Sequence, residues 1–380
     1  MIVLDDRLCA LRARSAEWAA DLRAIALDLD RDPDLIRRHL NLPVIEHIGL
    51  FQYPRRFHPR PLVVDGHRFH GDSALEHVVC FEELAAGDIG ALIAAPGAPM
   101  AGPLVALLGD DDQQEAFFGR LLAEHTWTFL ALTEPGGGSA TDRLATTIED
   151  LTLSGAKRYI GNATRSGIGV VFARSGPGPL GIRAVLVHGD DPGFSATALP
   201  TVGLRAALLS QVDLRGVPLD RSRLLGEHMS AARRGTWSWV RVFNRIRPAV
   251  AAMALGIARA AYDYVRTNRH ALSPAERDRL AALGVRIDGV RQLVWRSAVA
   301  VDADPADGHL ASAAKACATS LAEDAAAAAL GFFGAGARLD HPLLDKLARD
   351  ARGTEFMEGT GNVQKLAVYH HLARRRRDHG

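Results

Sequence analysis

Hydrophobic and polar positions follow two different patterns along this chain, and the change between them divides it into three parts. In residues 1–126 apolar residues recur every three or four positions, as in SAEWAADLRAIALDL and SALEHVVCFEELAAG, which predicts amphipathic helices. From Trp127 the apolar runs become short and are separated by turn clusters such as GPGPLG and GDDPGF. This spacing predicts a small β domain over residues 127–236.

Helical periodicity returns at Trp237 and continues through residues 237–380, which predicts a C-terminal helical bundle. The segment SPAERDRL opens with the signature of a helix start: Ser273 as N-cap, Pro274 in the first helical position and Glu276 to complete a capping box. One apolar stripe runs through the preceding segment, formed by Val250, Met253, Ile257, Ala261, Tyr264 and Val265. The predicted fold is therefore mainly α with a central β domain.

A predicted loop and five predicted strands add detail to this fold. Residues 50–71 are rich in proline, arginine and histidine, which predicts a loop between the N-terminal helices. Five apolar runs in the middle part are the predicted strands: WTFLALT, LTLSGAKRYI, IGVVFARS, IRAVLVHG and QVDLRGVPL.

Composition and charge narrow the possible functions. The formal net charge is +1, so nothing favours a nucleic-acid partner. Cys9, Cys80 and Cys317 are odd in number and widely separated, which argues against disulfides and against a zinc site and fits a reducing compartment. The sequence shows no signal peptide and no apolar run long enough to cross a membrane. We therefore expect a cytoplasmic protein with no metal site.

Three motifs carry the candidate chemistry, and each has an ordinary structural explanation as well. LTEPGGGSA (132–140) is either a cofactor loop or a turn; it lacks the Walker, dinucleotide and nucleophile-elbow patterns. The Tyr of GAKRYIGN (155–162) suits sheet packing. In RDARGTEFMEGTGNVQ, the charged residues before Glu358 suit a solvated face. Glu358 itself is either a proton-abstracting base or an acidic residue near the start of a surface helix.

Taken together and in this order, ALTEPGGGS, SGAKRYIGN, RPAVAAMALGIARAAYDYV and RDARGTEFMEGTGNVQ resemble the acyl-CoA dehydrogenase family over nearly the whole chain. The resemblance implies an N-terminal helical domain, a β-barrel-like middle domain and a C-terminal four-helix bundle. It also implies a homodimer or homotetramer that binds FAD between the middle domain and the bundle.

By this resemblance, Glu358 removes the α-proton of an acyl thioester while the flavin accepts the β-hydrogen as hydride. Arg247 and Gly359 are assigned to the substrate side of the site. The residues assigned to FAD are Leu132, Thr133, Gly138, Ser139, Tyr159, Ile160, Gly161, Thr360 and Asn362.

The sequence also departs from the family pattern. The family arginine that reaches FAD of a neighbouring subunit is missing, and Arg266 and Arg269 are its candidate substitutes. Ser139 is followed by Ala140 instead of aspartate, and Gly161 stands where the family has a hydroxyl residue. The Arg/His-rich residues 52–70 replace a segment that often shapes the acyl side of the site.

Three functions stay open at this point. The first is oxidation of an acyl thioester on CoA or on a carrier protein, in secondary metabolism, with an unknown electron acceptor. The second is redox-neutral α-proton chemistry, as in an isomerase or lyase, with FAD weakened or lost. The third is a non-catalytic partner subunit.

Overall fold

A computed structural model describes residues 1–50, 52–58, 60–137, 144–234 and 236–378. The N-terminal part is helical, as predicted. Its helices are α1 (Asp6–Arg31), α2 (Pro43–Leu50), α3 (Ala74–Ala94), α4 (Ala101–Leu108) and α5 (Asp111–Ala123). Helix α3 is kinked at Asp88, whose extended backbone starts a second helical segment, and its carboxylate accepts a hydrogen bond from the amide of Ala91 at 2.7 Å.

The Arg/His-rich segment is more ordered than the predicted loop. It contains a short 3₁₀ helix (Arg55–Phe57) and a hairpin of β1 (Leu62–Val64) and β2 (His67–Phe69), which pair antiparallel. Phe69 of the hairpin is fully buried. The hairpin forms because Asp65 and Gly66 adopt left-handed conformations between two short apolar runs. The loop prediction was wrong for these residues.

The middle part is a mixed sheet of seven described strands. All five predicted strands are present, whereas β4 and β8 were not predicted. The strands are β3 (Thr128–Ala131), β4 (Thr147–Glu149), β5 (Thr152–Ile160), β6 (Ile168–Arg174), β7 (Ile182–His188), β8 (Phe194–Ala198) and β9 (Ser210–Pro218). The order is β3-β6-β4-β5-β9-β8, and β7 also pairs with β6. The sheet therefore branches at β6, which refines the barrel-like description.

The C-terminal part is helical. Its helices are α6 (Ala231–Arg234), α7 (Thr236–Asn268), α8 (Pro274–Ala303), α9 (His309–Leu330), α10 (Ala337–Asp340), α11 (Pro342–Thr354) and α12 (Gly361–Asp378). The capping box predicted at Ser273 and Glu276 is present at the start of α8. The stripe on α7 is buried except for Tyr264, which is partly buried. In the part of the chain that the structure describes, no helix combines the length and apolarity of a membrane span.

A buried ion cluster joins α11 to the kink of α3. Lys346 Nζ lies 2.5 Å from Oδ2 of Asp88 and 2.6 Å from Oδ2 of Asp350, and all three residues are at most 1% exposed. The other carboxylate oxygen of Asp350 accepts the amide of Leu204 at 2.7 Å. The expectation of a solvated face before Glu358 is therefore wrong at Asp350, because buried partners satisfy its charge.

Candidate active site

The segment between α11 and α12 makes a left-handed turn at Glu358, where φ is 52°. Gly359 is also left-handed, with φ of 93°, and a Cβ there would come 2.7 Å from Nε2 of Gln364. A left-handed conformation is uncommon for a residue with a side chain and persists where the surrounding structure enforces it. Strain of this kind concentrates at functional sites, and Glu358 is one of eight described residues other than glycine with a positive φ.

The carboxylate that serves the start of α12 belongs to Glu355. Its Oε1 accepts the amide of Gly361 at 2.6 Å, and its Oε2 accepts the hydroxyl of Thr319 at 3.0 Å. A carboxylate at a helix N-terminus satisfies free amides and complements the helix dipole. Because Glu355 has this role, the carboxylate of Glu358 is left for chemistry.

Three side chains from three helices hold the main chain around Glu358. Arg247 of α7 donates from Nε to the carbonyl of Glu358 at 3.4 Å, and Gln364 of α12 donates to the same carbonyl at 3.0 Å. Lys315 of α9 donates to the carbonyls of Glu355 at 2.6 Å and Gly359 at 2.7 Å. The turn is therefore held by side chains of three bundle helices.

Arg247 is itself oriented by a neighbour on its own helix. Its guanidinium donates to Oδ1 of Asn244 at 2.7 Å, and the amide of Asn244 donates to the carbonyl of Pro305 at 3.1 Å. Hydrogen bonds through Arg247 and Asn244 therefore link the loop between α8 and α9 to the turn that carries Glu358.

The environment of Glu358 raises its proton affinity. Part of the residue remains accessible, but protein atoms surround its carboxyl group. Burial raises the pKa of Glu358 to about 7, while the positive charges of Arg247 and Lys315 limit the rise. A carboxyl group with a pKa near neutrality is suited to accept a proton at physiological pH.

A second group of predicted residues lies at the end of β5. Tyr159 has φ of 62° and its side chain is 58% exposed, at a point where the β5–β9 register shifts between Lys157 and Ile160. The bulge turns the Tyr159 ring out of the sheet. Ile160 is 3% exposed and packs in the sheet core, whereas the following Gly161 is partly exposed.

Glu134 and Lys157 anchor the Gly-rich motif to this strand. Glu134 accepts the amides of Ala145 at 2.7 Å and Thr146 at 2.9 Å, the hydroxyl of Thr146 at 2.6 Å, and Nζ of Lys157 at 2.9 Å. Lys157, fully buried, also donates to the carbonyl of Leu132 at 3.1 Å. Burial opposes ionisation of Glu134, but these hydrogen bonds outweigh it and lower the pKa of that carboxyl.

The structure thus brings most predicted residues into two groups. Glu358, Gly359 and Arg247 surround the turn, with Thr360 and Asn362 at the start of α12. Leu132, Thr133, Tyr159, Ile160 and Gly161 lie along β3 and β5, where the carbonyl of Thr133 accepts the amide of Arg158 at 2.9 Å. Gly138 and Ser139 lie outside the described residues.

The candidate substitutes for the missing family arginine have partners within α7 and α8. Arg266 lies 3.6 Å from Asp263, and Arg269 donates to Glu276 at 3.1 Å. Glu276 is also the capping-box residue of α8. Arg269 is therefore part of a local helix-start network.

Lys315, Gln364 and Lys157 contact the predicted residues of the candidate site, and Glu134 pairs with Lys157, but none of the four was itself predicted. A signal for Lys315 existed, because it is the one lysine of the alanine-rich segment ASAAKACATSLAEDAAAAAL. A charge on the apolar face of a helix needs a buried partner. Lys157 shows the same signal within the strand LTLSGAKRYI.

Asp307, His309 and His371 form a separate cluster of possible metal ligands. Nδ1 of His309 lies 2.6 Å from Oδ1 of Asp307, and Nδ1 of His371 lies 3.6 Å from the same oxygen. The two imidazoles are stacked at 3.9 Å with 8° between their planes. Because parallel rings do not direct their nitrogens to one point, the arrangement suits a histidine–carboxylate cluster better than a tetrahedral metal site.

Comparison with known proteins assigns the chain to a family. The model of the acyl-CoA dehydrogenase C-terminal domain matches residues 233–373, and that of the middle domain matches residues 130–217. The protein belongs to the acyl-CoA dehydrogenase family. The turn with Glu358 lies in the first match, and the Glu134–Lys157 pair lies in the second.

Three similar proteins illustrate the range of this family. A 3-(aryl)acrylate reductase of Clostridium sporogenes is 28% identical over 314 residues, which are 78% of this chain and 82% of the reductase. The structure of butyryl-CoA dehydrogenase from Megasphaera elsdenii has a TM-score of 0.82 at 24% identity, covering 98% of this chain and 100% of that one. The prolyl acyl carrier protein oxidase AnaB has a TM-score of 0.81 at 18% identity, covering 97% and 100%.

This acyl-CoA dehydrogenase-family member is a flavoprotein oxidoreductase with FAD as cofactor. The described residues fit a flat cofactor. The Tyr159 ring is exposed at the end of β5, and a Cβ added at Gly136 or Gly137 would meet nothing within 4 Å, so the main chain of the loop is open to close approach.

Thr146→Val should loosen the Gly-rich loop. The fully buried hydroxyl would be replaced by a methyl group, and Glu134 would lose its 2.6 Å hydrogen bond. A hydrogen bond to a charged group contributes about 1.5–3 kcal/mol, so we expect a loss of that size in the free energy of unfolding by urea, together with weaker FAD retention on gel filtration. Thr147→Val, at the partly buried neighbouring position, is the control; equal losses in both variants would contradict this role for Glu134.

Proposed function

We propose that this protein oxidises an acyl thioester between its α and β carbons, with Glu358 as the base that takes the α-proton. The observation that supports this most directly is the turn at Glu358: a strained residue, held by three helices, whose carboxyl group has a pKa near 7. Glu355 already serves the helix start. Glu358 is therefore available to exchange a proton with substrate.

When bound, FAD supplies the acceptor for the β-hydrogen, and the residues of this chain supply the rest. Tyr159, the main chain of Ile160 and Gly161, and the Gly-rich loop hold the cofactor in this proposal, together with Thr360 and Asn362. The carboxylate of Glu358 accepts the α-proton, and the main-chain N–H of Glu358 stabilises the developing enolate oxygen. Arg247 keeps the turn in place through the carbonyl of Glu358.

The rate of flavin reduction by substrate should rise with pH, reach half its plateau value near pH 7 and level off above about pH 8. The base must be deprotonated, and burial raises its pKa to about 7, so the active form is lost as pH falls. At pH 6 the rate should be about one tenth of its plateau value. Stopped-flow reduction at saturating substrate measures this profile; a rate independent of pH between 5.5 and 8 would contradict it.

The carrier of the acyl group is the finer part of the proposal. We infer a thioester on CoA or on a carrier protein, because both present the same acidified α-carbon to Glu358. The fold is shared by a butyryl-CoA dehydrogenase and by a carrier-protein oxidase. A role in secondary metabolism and a cytoplasmic location belong to this proposal as well.

The decisive experiment is anaerobic mixing of the FAD-loaded protein with matched acyl groups on CoA and on a carrier protein. Bleaching of the flavin band by either thioester, with formation of the α,β-unsaturated product, supports the proposal and identifies the carrier. A protein that exchanges α-deuterium into both thioesters without bleaching would instead be redox-neutral. Inertness that a partner chain relieves would indicate a non-catalytic subunit.

We also propose a homo-oligomer. Leu366, Tyr369 and Leu372 of α12 are 54%, 66% and 52% exposed. Their three-residue spacing places them along one side of the helix. Exposed apolar stripes of this kind often mark contacts between chains. Sedimentation equilibrium would distinguish dimer from tetramer.

A further inference from the structure

Lys315 occupies an unusual position for a lysine. It is 0% exposed in the second turn of the alanine-rich helix α9. Its ammonium group donates to the carbonyls of Glu355 at 2.6 Å and Gly359 at 2.7 Å. Those two carbonyls lie on either side of Glu358 in the chain, so one cation fixes both ends of the turn that carries the carboxylate.

The geometry of the turn requires a donor at this point. The carbonyls of Glu355 and Gly359 converge on one position, where their partial negative charges would repel each other without a cation between them. An apolar residue at position 315 would leave both carbonyls without this donor. The left-handed backbone at Glu358 persists only while its surroundings hold it, and Lys315 is the charged part of those surroundings on α9.

The charges around Glu358 and Lys315 come from three elements. Arg247 of α7 and Lys315 of α9 both act on Glu358, and Glu355 and Glu358 of the turn both act on Lys315. Burial lowers the pKa of Lys315 to about 8, with the two carboxylates opposing this change and Arg247 adding to it. The ammonium form therefore predominates at neutral pH.

We propose that Lys315 is a positioning residue whose ammonium group clamps the turn that carries Glu358 and supplies a fixed positive charge there. The clamp has two separable parts, because the hydrogen bonds to the carbonyls fix the backbone and the positive charge acts on the carboxylate. Its catalytic consequence rests on the proposed function. The effect on Glu358 itself does not, since the carboxylate can be titrated without substrate.

Lys315→Met and Lys315→Gln separate the two parts. Methionine removes both the hydrogen bonds and the charge, whereas glutamine can still donate to one carbonyl but is neutral. Both variants should raise the pKa of Glu358, because both lose the cation. The rate constant for substrate reduction of the flavin should fall at least about tenfold in Lys315→Met and less in Lys315→Gln, with KM changed little in both.

The titration is read by pH-difference infrared spectroscopy of the FAD-loaded protein, with the carboxyl band of Glu358 assigned by its loss in Glu358→Gln. Lys365→Met, an exposed lysine on α12, is the control and should leave the band unchanged. If Lys315→Met does not fold, the measurement on Lys315→Gln decides. An unchanged Glu358 pKa in the folded Lys315 variants would overturn the inference.

The outcomes also separate this inference from the proposed function. A raised pKa of Glu358 in a protein that no thioester reduces would support the clamp and contradict the dehydrogenase proposal. An unchanged pKa in a protein that thioesters do reduce would contradict the clamp alone.

Discussion

Glu358→Gln should retain FAD, but the rate at which an acyl thioester reduces the flavin should fall by about 10²- to 10⁴-fold. The amide has nearly the shape of the carboxyl group but cannot accept the α-proton. The backbone turn should persist, because Arg247, Gln364 and Lys315 hold it through main-chain carbonyls and not through the Glu358 side chain. Chemistry and architecture are therefore separable at this residue.

Stopped-flow absorbance measures this effect, with the flavin spectrum and thermal stability of each variant as checks. Glu323→Gln on α9 is the matched control, because Glu323 is a partly exposed carboxylate whose described partner is the exposed Arg352. The flavin of Glu323→Gln should be reduced by substrate at the wild-type rate. Reduction of Glu358→Gln at an undiminished rate would remove Glu358 from the role of base.

The fold class could be predicted from the sequence because apolar spacing along helices and strands is a local pattern, whereas the family and the cofactor were predicted from the resemblance carried by four motifs in a fixed order. The capping box at Ser273 and Glu276 forms within one helical turn. The predicted strands follow short apolar runs. Glu358 could be located because it lies in a continuous sequence motif, RDARGTEFMEGTGNVQ. Its surroundings in the structure agree with the role of base that the resemblance implies. That role stays a prediction.

The parts that could not be predicted depend on contacts between distant residues. The burial of Lys315 depends on its hydrogen bond to the carbonyl of Glu355, 40 residues away in the chain. The role of Glu134 depends on its ion pair with Lys157 of β5. Asp350 follows the helical pattern of a solvated face, yet Asp88 and Lys346 meet it in the core. Strands β4 and β8 have only three and five residues and carry little apolar pattern of their own. The extent of the three domains stays a prediction.

The largest loss of stability should follow Lys346→Met. This change removes the cation between Asp88 and Asp350 and leaves two buried carboxylates close together. Removing one partner of a buried ion pair costs about 3–5 kcal/mol, because the remaining charge has neither water nor a counter-ion. By contrast, Arg352→Ala on the same helix breaks an exposed pair with Glu323 and should cost less than about 1 kcal/mol.

The pH dependence of this loss tests its electrostatic origin. In the variant, the folded state gains stability by binding a proton at the carboxylate pair, whereas the unfolded carboxylates release theirs near pH 4. Folded protein therefore holds more protons than unfolded protein above about pH 4, and the stability deficit of Lys346→Met should grow as pH rises towards 7. Urea unfolding at pH 5 and pH 7 measures this deficit.

Replacing Asp88 by Asn in the same chain should recover part of the deficit at pH 7, since only one buried charge then remains. A deficit that is equal at both pH values and unaffected by Asp88→Asn would mean that lost packing, and not unpaired charge, explains the role of Lys346.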